Sequence, residues 1–408
     1  MTAHPARFHL FAYGAFGLPL ALVALPIYIH VPQLYAQRFG MPLGAVGLAL
    51  LATRLLDAFS DPLLGRWLDR APGGHARFVL LALPPLGAGF VALFHPPAIA
   101  HSLPLAWLAA ALLLCHAGFS MASIAHQSWG AALTQAPGQR SRVTAAREGC
   151  GLAGVLLGAG LLGSASTVWL SLAFALTLVA SAWLLLRHAQ RPAAAWAATT
   201  DASLMAPFAN RQFRWLFAVF MVNGIAAAIP ATLFLFFAGD RLRLGESSNG
   251  LLLVYFLAAA ASMPAWSALA RRHGEARPWL GAMLLALLSF IWSYRLAPGD
   301  ALPFGTICLL SGIALGADLV LPPALLAAVI RHGGGNREGA YFGLWNWAGK
   351  LNLALAAGIV LPLLERLGYT PGTPGADTAP LAVAYAVLPC LLKLLAALLL
   401  WRAPLRHL

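Results

Sequence analysis

Charge is scarce in this chain. Only 10% of its 408 residues are charged, where soluble globular chains carry about 25%, and 60% are hydrophobic. That balance excludes an ordinary soluble domain. Lysine is nearly absent, since Lys350 and Lys393 are the only lysines among 26 basic residues. The formal net charge of +13 is therefore an arginine excess, and no basic stripe interleaved with exposed aromatics accompanies it, so nucleic acid is rejected as a partner. Cysteine is rare as well. Cys115, Cys150, Cys308 and Cys390 are far apart and form no C-x-x-C pair, which leaves buried free thiols and no disulfide framework. The catalytic signatures H-E-x-x-H, G-x-S-x-G and the Walker pattern are missing. His116 and His126 are ten residues apart, off a clean helix face. These absences speak against a membrane-embedded enzyme, and they imply neither a metal nor a cofactor.

Long apolar segments are plentiful and recur about every thirty residues, the mark of a polytopic helical membrane protein. The hydropathy pattern predicts helices near 8–36, 43–66, 78–96, 104–134, 143–165, 167–187, 214–238, 247–270, 278–296, 304–330, 339–365 and 380–402. Twelve spans put both termini on one side. With that side cytoplasmic, eighteen arginines fall in inner loops and only Arg38, Arg241, Arg243, Arg295 and Arg366 fall outside, as the positive-inside rule requires. The N-terminal "MTAHPARFHLF" has no cleavage-site pattern, so the first apolar run reads as a retained helix. The longest polar connection divides the chain into a six-helix half over 1–187, a cytoplasmic linker over 188–213 and a second half over 214–408. Such a parallel duplication suits a transporter whose halves rock around a midplane site. A shift of 202 positions lays Asp61-Pro62 on Met263-Pro264, Asp57 on Ala259 and Arg54 on Phe256. The second half builds the same helix without the charges, which points to function rather than folding.

"RLLDAFSDPLLGRWLDR" carries the strongest signal. Arg54, Asp57 and Asp61 are spaced i, i+3, i+7 and share one helix face. Asp57 falls about 20 Å along its helix at about 1.5 Å per residue, and a charge at that depth costs at least about 2.5–3.5 kcal/mol. Paired carboxylates facing a wet cavity can hold sodium, or can share a proton because like charges raise one pKa. The alternative is an internal Arg–Asp lock between helices. Lys350 lies about 16 Å into the eleventh helix and needs a partner, for which Asp57 or Asp61 is the natural candidate. Lys393 is nearer a helix end and is expected to snorkel.

Other polar residues within the spans each have two readings. His126 and Trp129, in "SIAHQSWGAAL", are either packing residues or substrate contacts. Arg147, beside Glu148, reaches a polar ligand or anchors its helix at the interface. Asp318, in "GIALGADLVLPP", must face the protein interior and contacts either ligand or a neighbouring helix. Trp345 and Asn346 could stack on and hydrogen-bond a sugar-sized ligand, with aromatic packing as the alternative.

"GRWLDR", Gly65 to Arg70, resembles the loop motif between the second and third helices of the major facilitator superfamily. That resemblance gives Gly65, Asp69 and Arg70 a conformational role, with Asp69 stabilising the outward-facing packing. "RLLDAFSDPLLG" resembles the Arg-x-x-Asp-x-x-x-Asp-Pro signature of the glycoside–pentoside–hexuronide:cation symporters, the melibiose permease group. "NREGAYFGLWNWAGK", Asn336 to Lys350, and "YGAFGLPLA" fit the same family in order and spacing. By resemblance, Asp57 and Asp61 bind the coupling sodium, lithium or proton, Lys350 lies close by, and Arg147 contacts the sugar. The match departs at the galactoside site. Its first-helix Asp falls on Pro19, its fourth-helix Asp on His126, and its fourth-helix Trp on Gly130, next to Trp129.

The sequence thus predicts an all-α membrane protein of major facilitator fold, with twelve transmembrane helices in two six-helix halves. The expected function is proton- or sodium-coupled symport of a small sugar, glycoside or sugar acid by alternating access, the coupling ion being the only inorganic requirement. Transport of an amphiphile such as a lysolipid or drug is the alternative. Resemblance and the Arg/Ala/Leu-rich composition imply a monomer in the lipid bilayer of a bacterial inner membrane.

Overall fold

A computed structural model of the protein describes residues 7–70, 74–133, 139–162, 167–191, 203–245, 247–333, 337–369 and 377–405. These residues form helices and turns, with no β-strand among them. The first apolar run is a broken helix, α1, made of Arg7–Gly14, Gly17–Leu22 and Ala24–Phe39. Its breaks follow from Pro19 and Pro26, which offer no N–H to the carbonyls of Ala15 and Leu22 four residues back. There follow α2 (Leu43–Arg70), α3 (Gly74–Phe94), α4 (Pro104–Leu133), α5 (Gln139–Leu162) and α6 (Thr167–His188). The second series is α7 (Arg211–Phe236), α8 (Ser247–His273), α9 (Ala276–Phe290), α10 (Ala301–His332) and α11 (Glu338–Arg366). The last apolar run begins with Ala379–Ala382, passes through a wide π turn at Val383–Val387, and continues as α12 (Leu388–Arg402).

Nine helices among the described residues are long and apolar enough to cross a membrane. The runs that fall short are informative. α1 is cut into short pieces, α2 carries Arg54, Asp57 and Asp61, and α5 carries Arg140, Arg142, Arg147 and Glu148. The charges and breaks that disqualify them as plain lipid anchors are where candidate chemistry concentrates. Elsewhere the outward faces are apolar. Leu176 and Val179 on α6 and Leu235 on α7 are largely exposed, as lipid-facing side chains should be.

The chain clusters into two compact units. One comprises Met1–Gln135, Val143–Pro207 and Gly334–Trp347. Within it α4 packs on both α2 and α3, over a core that includes Phe78, Phe90, Phe94 and Phe174. A Cβ on Gly14 would meet Ala146 of α5, and a Cβ on Gly118 would meet the Leu86 backbone, so these helices touch main chain to main chain. The other unit comprises Ala136–Arg142, Phe208–Gly333 and Ala348–Leu408. Here α10 packs on α8 and α9, and α12 packs on α7. The Phe237 and Tyr385 rings stack at 3.9 Å in its core, beside Phe304 and Leu381. The first turn of α5 belongs to the second unit, and the first turns of α11 belong to the first.

Candidate functional site

α2 buries its carboxylates in the first unit. Asp57 and Asp61 are buried and Arg54 is half-buried. Ser120, one of the small residues on α4, donates its hydroxyl to Asp57 Oδ1 at 2.7 Å. Small residues at this crossing let the two helices approach, and a hydroxyl in apolar surroundings must find an acceptor. The Ser60 hydroxyl is turned back to the Asp57 carbonyl at 2.7 Å. Pro62 has no N–H to give the Ala58 carbonyl, so that oxygen lies between the two acidic positions without its helical donor. Two carboxylates, a hydroxyl and a carbonyl are the oxygen donors that a hard cation takes. Ser120 was not singled out by sequence, because its value depends on how α4 crosses α2. Lys350 lies half-buried on the part of α11 that belongs to the second unit, and Trp345 and Asn346 lie on the part that belongs to the first.

His126 and Trp129 are turned into helix packing. His126 Nε2 is 2.9 Å from the Tyr13 carbonyl and carries the proton of that bond. Its ring lies 4.4 Å from the Tyr13 ring and 5.2 Å from the Phe16 ring. Tyr13 in turn donates its hydroxyl to the His126 carbonyl at 2.9 Å. Trp129 is 1% exposed and donates its indole N–H to the Gln190 carbonyl at 2.9 Å. Gly130 is small because a Cβ there would strike the Tyr13 hydroxyl. Arg147 is buried and forks onto Glu148 Oε1 at 2.9 and 2.5 Å, a pairing that neutralises both on α5.

At the end of α2, beyond the apolar span, Asp69 caps α11. Its Oδ1 accepts from the Gly339 N–H at 2.7 Å and its Oδ2 from the Ala340 N–H at 2.8 Å. Those are orphan donors of the first helical turn, where a carboxylate also meets the positive end of the helix dipole. Gly65 lies one turn earlier, and a Cβ there would be driven into the Gly339 carbonyl. A Cβ on Gly343 would meet the Asp61 carbonyl. The Gly65–Arg70 motif is thus a backbone-close crossing followed by a cap, while Arg70 itself is exposed at the helix end. A related contact occurs in the second unit, where Arg140 at the start of α5 forks onto Glu275 at 3.2 and 3.4 Å, both wholly buried.

Asp318 is held by three side chains. Its Oδ1 accepts from Asn223 Nδ2 at 3.1 Å and Trp279 Nε1 at 2.7 Å, and its Oδ2 from Lys393 Nζ at 2.6 Å. Lys393 therefore does not snorkel as the sequence suggests. It is 8% exposed, because α12 turns it inward to a carboxylate on α10. Removing one member of a buried pair leaves an uncompensated charge. Lys393→Met is expected to cost about 3 kcal/mol, read as a fall in melting temperature, and the double variant Asp318→Asn/Lys393→Met should recover most of it. A single variant that melts like the wild type would show that the pair contributes little.

Solved structures of similar fold extend along nearly the whole chain. A bacterial homologue of the iron transporter ferroportin, in an outward-facing state, superposes with a TM-score of 0.72 at 16% identity, covering 96% of this chain and 98% of its own. The human organic anion transporter MFSD10 gives 0.71 at 18%, with 97% and 100% covered. The fucose:proton symporter FucP of E. coli gives 0.68 at 13%, with 97% and 98% covered. At these identities the likeness speaks for the fold alone. That fold, twelve helical runs in a membrane, is the fold of the major facilitator transporters, which are not enzymes. Residues 10–407 match the family described as MFS/sugar transport protein, and the chain belongs to that family. The family is one of membrane transporters. Two curated relatives are named as symporters. The uncharacterized symporter sll1374 of Synechocystis is 24% identical over 195 residues, 45% of this chain and 36% of the relative. The inner membrane symporter YicJ of Escherichia coli K12 is 28% identical over 117 residues, 28% of this chain and 25% of the relative. The aligned stretches thus span about a third and a quarter of the relatives' own lengths.

Proposed function

We propose that the protein is a cation-coupled symporter of a small sugar, glycoside or sugar acid, working by alternating access. The observation that carries this reading is the buried Asp57–Asp61 pair on α2 with the Ser120 hydroxyl against it. Sodium or a proton binds at Asp57 and Asp61, with Ser120 and the Ala58 carbonyl as further oxygen ligands for a metal cation. Arg54, half-buried on the same helix, is the cationic partner that takes over the carboxylates when the ion leaves, and Lys350 is the candidate coupling residue. Trp345, Asn346 and Arg147 are the candidate substrate contacts, while Asp318, with both oxygens taken by Asn223, Trp279 and Lys393, serves the helix–helix contact. His126 and Trp129 serve by holding α4 rather than by touching substrate. The halves run over 1–187 and 214–408, with both termini cytoplasmic, in the inner membrane of a bacterium, and the monomer is the working unit. Cation and substrate sites stabilise each other, so both are filled or both empty when the halves rock. A thermal-shift screen of purified protein against glycosides, sugar acids and lysolipids, with and without sodium, tests this. Stabilisation by a sugar that requires sodium or low pH supports it, and stabilisation by lysolipid alone would move the assignment to an amphiphile.

Asp69 at the start of α11 is the latch of this cycle, with Gly65 setting its distance. Burial pushes its carboxyl up to about 7, against the downward pull of the Ala340 and Gly339 N–H donors. Released to water, an aspartate titrates near about 3.9. The latched form therefore holds a proton that the released form gives up. Latching is most favoured below about pH 4, weakens as pH rises to about 7, and is level above that. Deuterium exchange of the Gly339 and Ala340 amides, corrected for intrinsic rate, should accelerate between about pH 5 and pH 8. Asp69→Asn should remove the dependence, and equal protection at both pH values in the wild type would contradict it.

A further inference from the structure

A cavity of about 390 Å³ lies wholly within the second unit, lined by residues of α7, α8, α9, α10, α12 and the π turn before α12 and open on one side. Its volume falls in the range of about 300–1,000 Å³ typical of small-molecule sites. The walls are aromatic and aliphatic, with the rings of Phe234, Tyr255, Phe256, Phe290 and Tyr385 among them. Asp318 and Lys393 are its charged lining residues. Asp318 has both oxygens occupied, by Asn223, Trp279 and Lys393. The Lys393 ammonium has three N–H groups and makes one hydrogen bond among the described residues, to Asp318. Its side chain is 10% exposed. Tyr255 and Tyr385 also line the cavity. The donors of a buried ammonium are normally satisfied.

We propose that this cavity binds a neutral, oxygen-bearing aromatic or alicyclic molecule, its apolar body among the rings and an acceptor oxygen on Lys393. Neutrality follows from the ion pair. Lys393 is already balanced by a carboxylate oxygen 2.6 Å away, so a charged ligand would set an uncompensated charge against largely apolar walls, at a desolvation cost. A free sugar fits poorly because these walls would strand most of its hydroxyls. An alcohol, ketone or ether on two or three rings satisfies the donors and fills the walls. The site lies outside the carboxylate pair of α2, and its occupancy depends on nothing assigned to Asp57 or Asp61.

The test uses full-length purified protein, with benzophenone as photolabel and fluorenone and fluorene as competitors. The competitors share one shape and differ in a single carbonyl acceptor. Saturable labelling is expected on peptides of α8, α9 and α12, with fluorenone displacing label about tenfold better than fluorene, as a hydrogen bond to an ammonium would give. In Asp318→Asn/Lys393→Met the two competitors should become equal. Ser311→Trp and Leu287→Trp, which fill the cavity without touching the ion pair, should abolish labelling. Equal competition by fluorenone and fluorene in the wild type would overturn the proposal even if every variant failed to fold. Unsaturable labelling, or labelling that survives in a folded filled variant, would overturn it as well.

Discussion

Asp57→Asn is expected to abolish gradient-driven accumulation of substrate while leaving the protein folded. The substitution is nearly isosteric, and an asparagine carbonyl can still accept from the Ser120 hydroxyl that now lies 2.7 Å from Asp57 Oδ1. What disappears is the charge. Charge-assisted bonds contribute about 1.5–3 kcal/mol each, so cation affinity should fall about 10- to 100-fold. In proteoliposomes the internal substrate concentration should then never exceed the external one. Exchange of labelled for unlabelled substrate should slow as well and recover at raised cation concentration, because the substrate-loaded halves rock only with the cation bound. Full accumulation by this variant would remove Asp57 from the cation site.

Gly65→Ala and Gly47→Ala should change stability in opposite directions, although both glycines lie on α2. At Gly65 a methyl group meets the Gly339 carbonyl, and that obstacle is backbone rather than a flexible side chain. The helices must separate, which costs about 1–3 kcal/mol and pulls the Gly339 and Ala340 donors from Asp69. At Gly47 a methyl group meets nothing within 4 Å, and alanine is the better helix former by about 0.8–1.0 kcal/mol. The melting temperature should fall in the first variant and hold or rise in the second. Equal melting of the two would show that the crossing of α2 and the start of α11 is not tight.

Much of the fold is legible in the sequence because lipid simplifies the problem. A span needs about 20 apolar residues, so the runs can be counted directly, whereas the first run, expected as one helix over 8–36, is cut into three pieces near Pro19 and Pro26. The α2 carboxylates are legible for the converse reason, since charge in an apolar run must have a purpose. Pairings across the bundle are not legible. Lys393 finds Asp318 from 75 positions away and Arg140 finds Glu275 from 135, and no local pattern encodes either. Lys393 reads as a snorkelling residue near a helix end because its direction depends on how α12 turns about its axis. His126 and Trp129 show the same gap. Their carbonyl partners, Tyr13 and Gln190, are set by packing among α1, α4 and the end of α6. The Asp69 cap lies between these cases, since its motif is visible but its acceptor role needs the start of α11.

Cation coupling is tested most directly by glycoside binding to the purified protein, titrated with and without sodium and at two pH values. Coupling between the Asp57–Asp61 site and the substrate site predicts that one cation tightens glycoside binding about 5- to 150-fold. The glycoside should tighten binding of that cation by the same factor, and both effects should vanish in Asp57→Asn. A glycoside affinity unmoved by sodium and by pH would contradict cation-coupled symport.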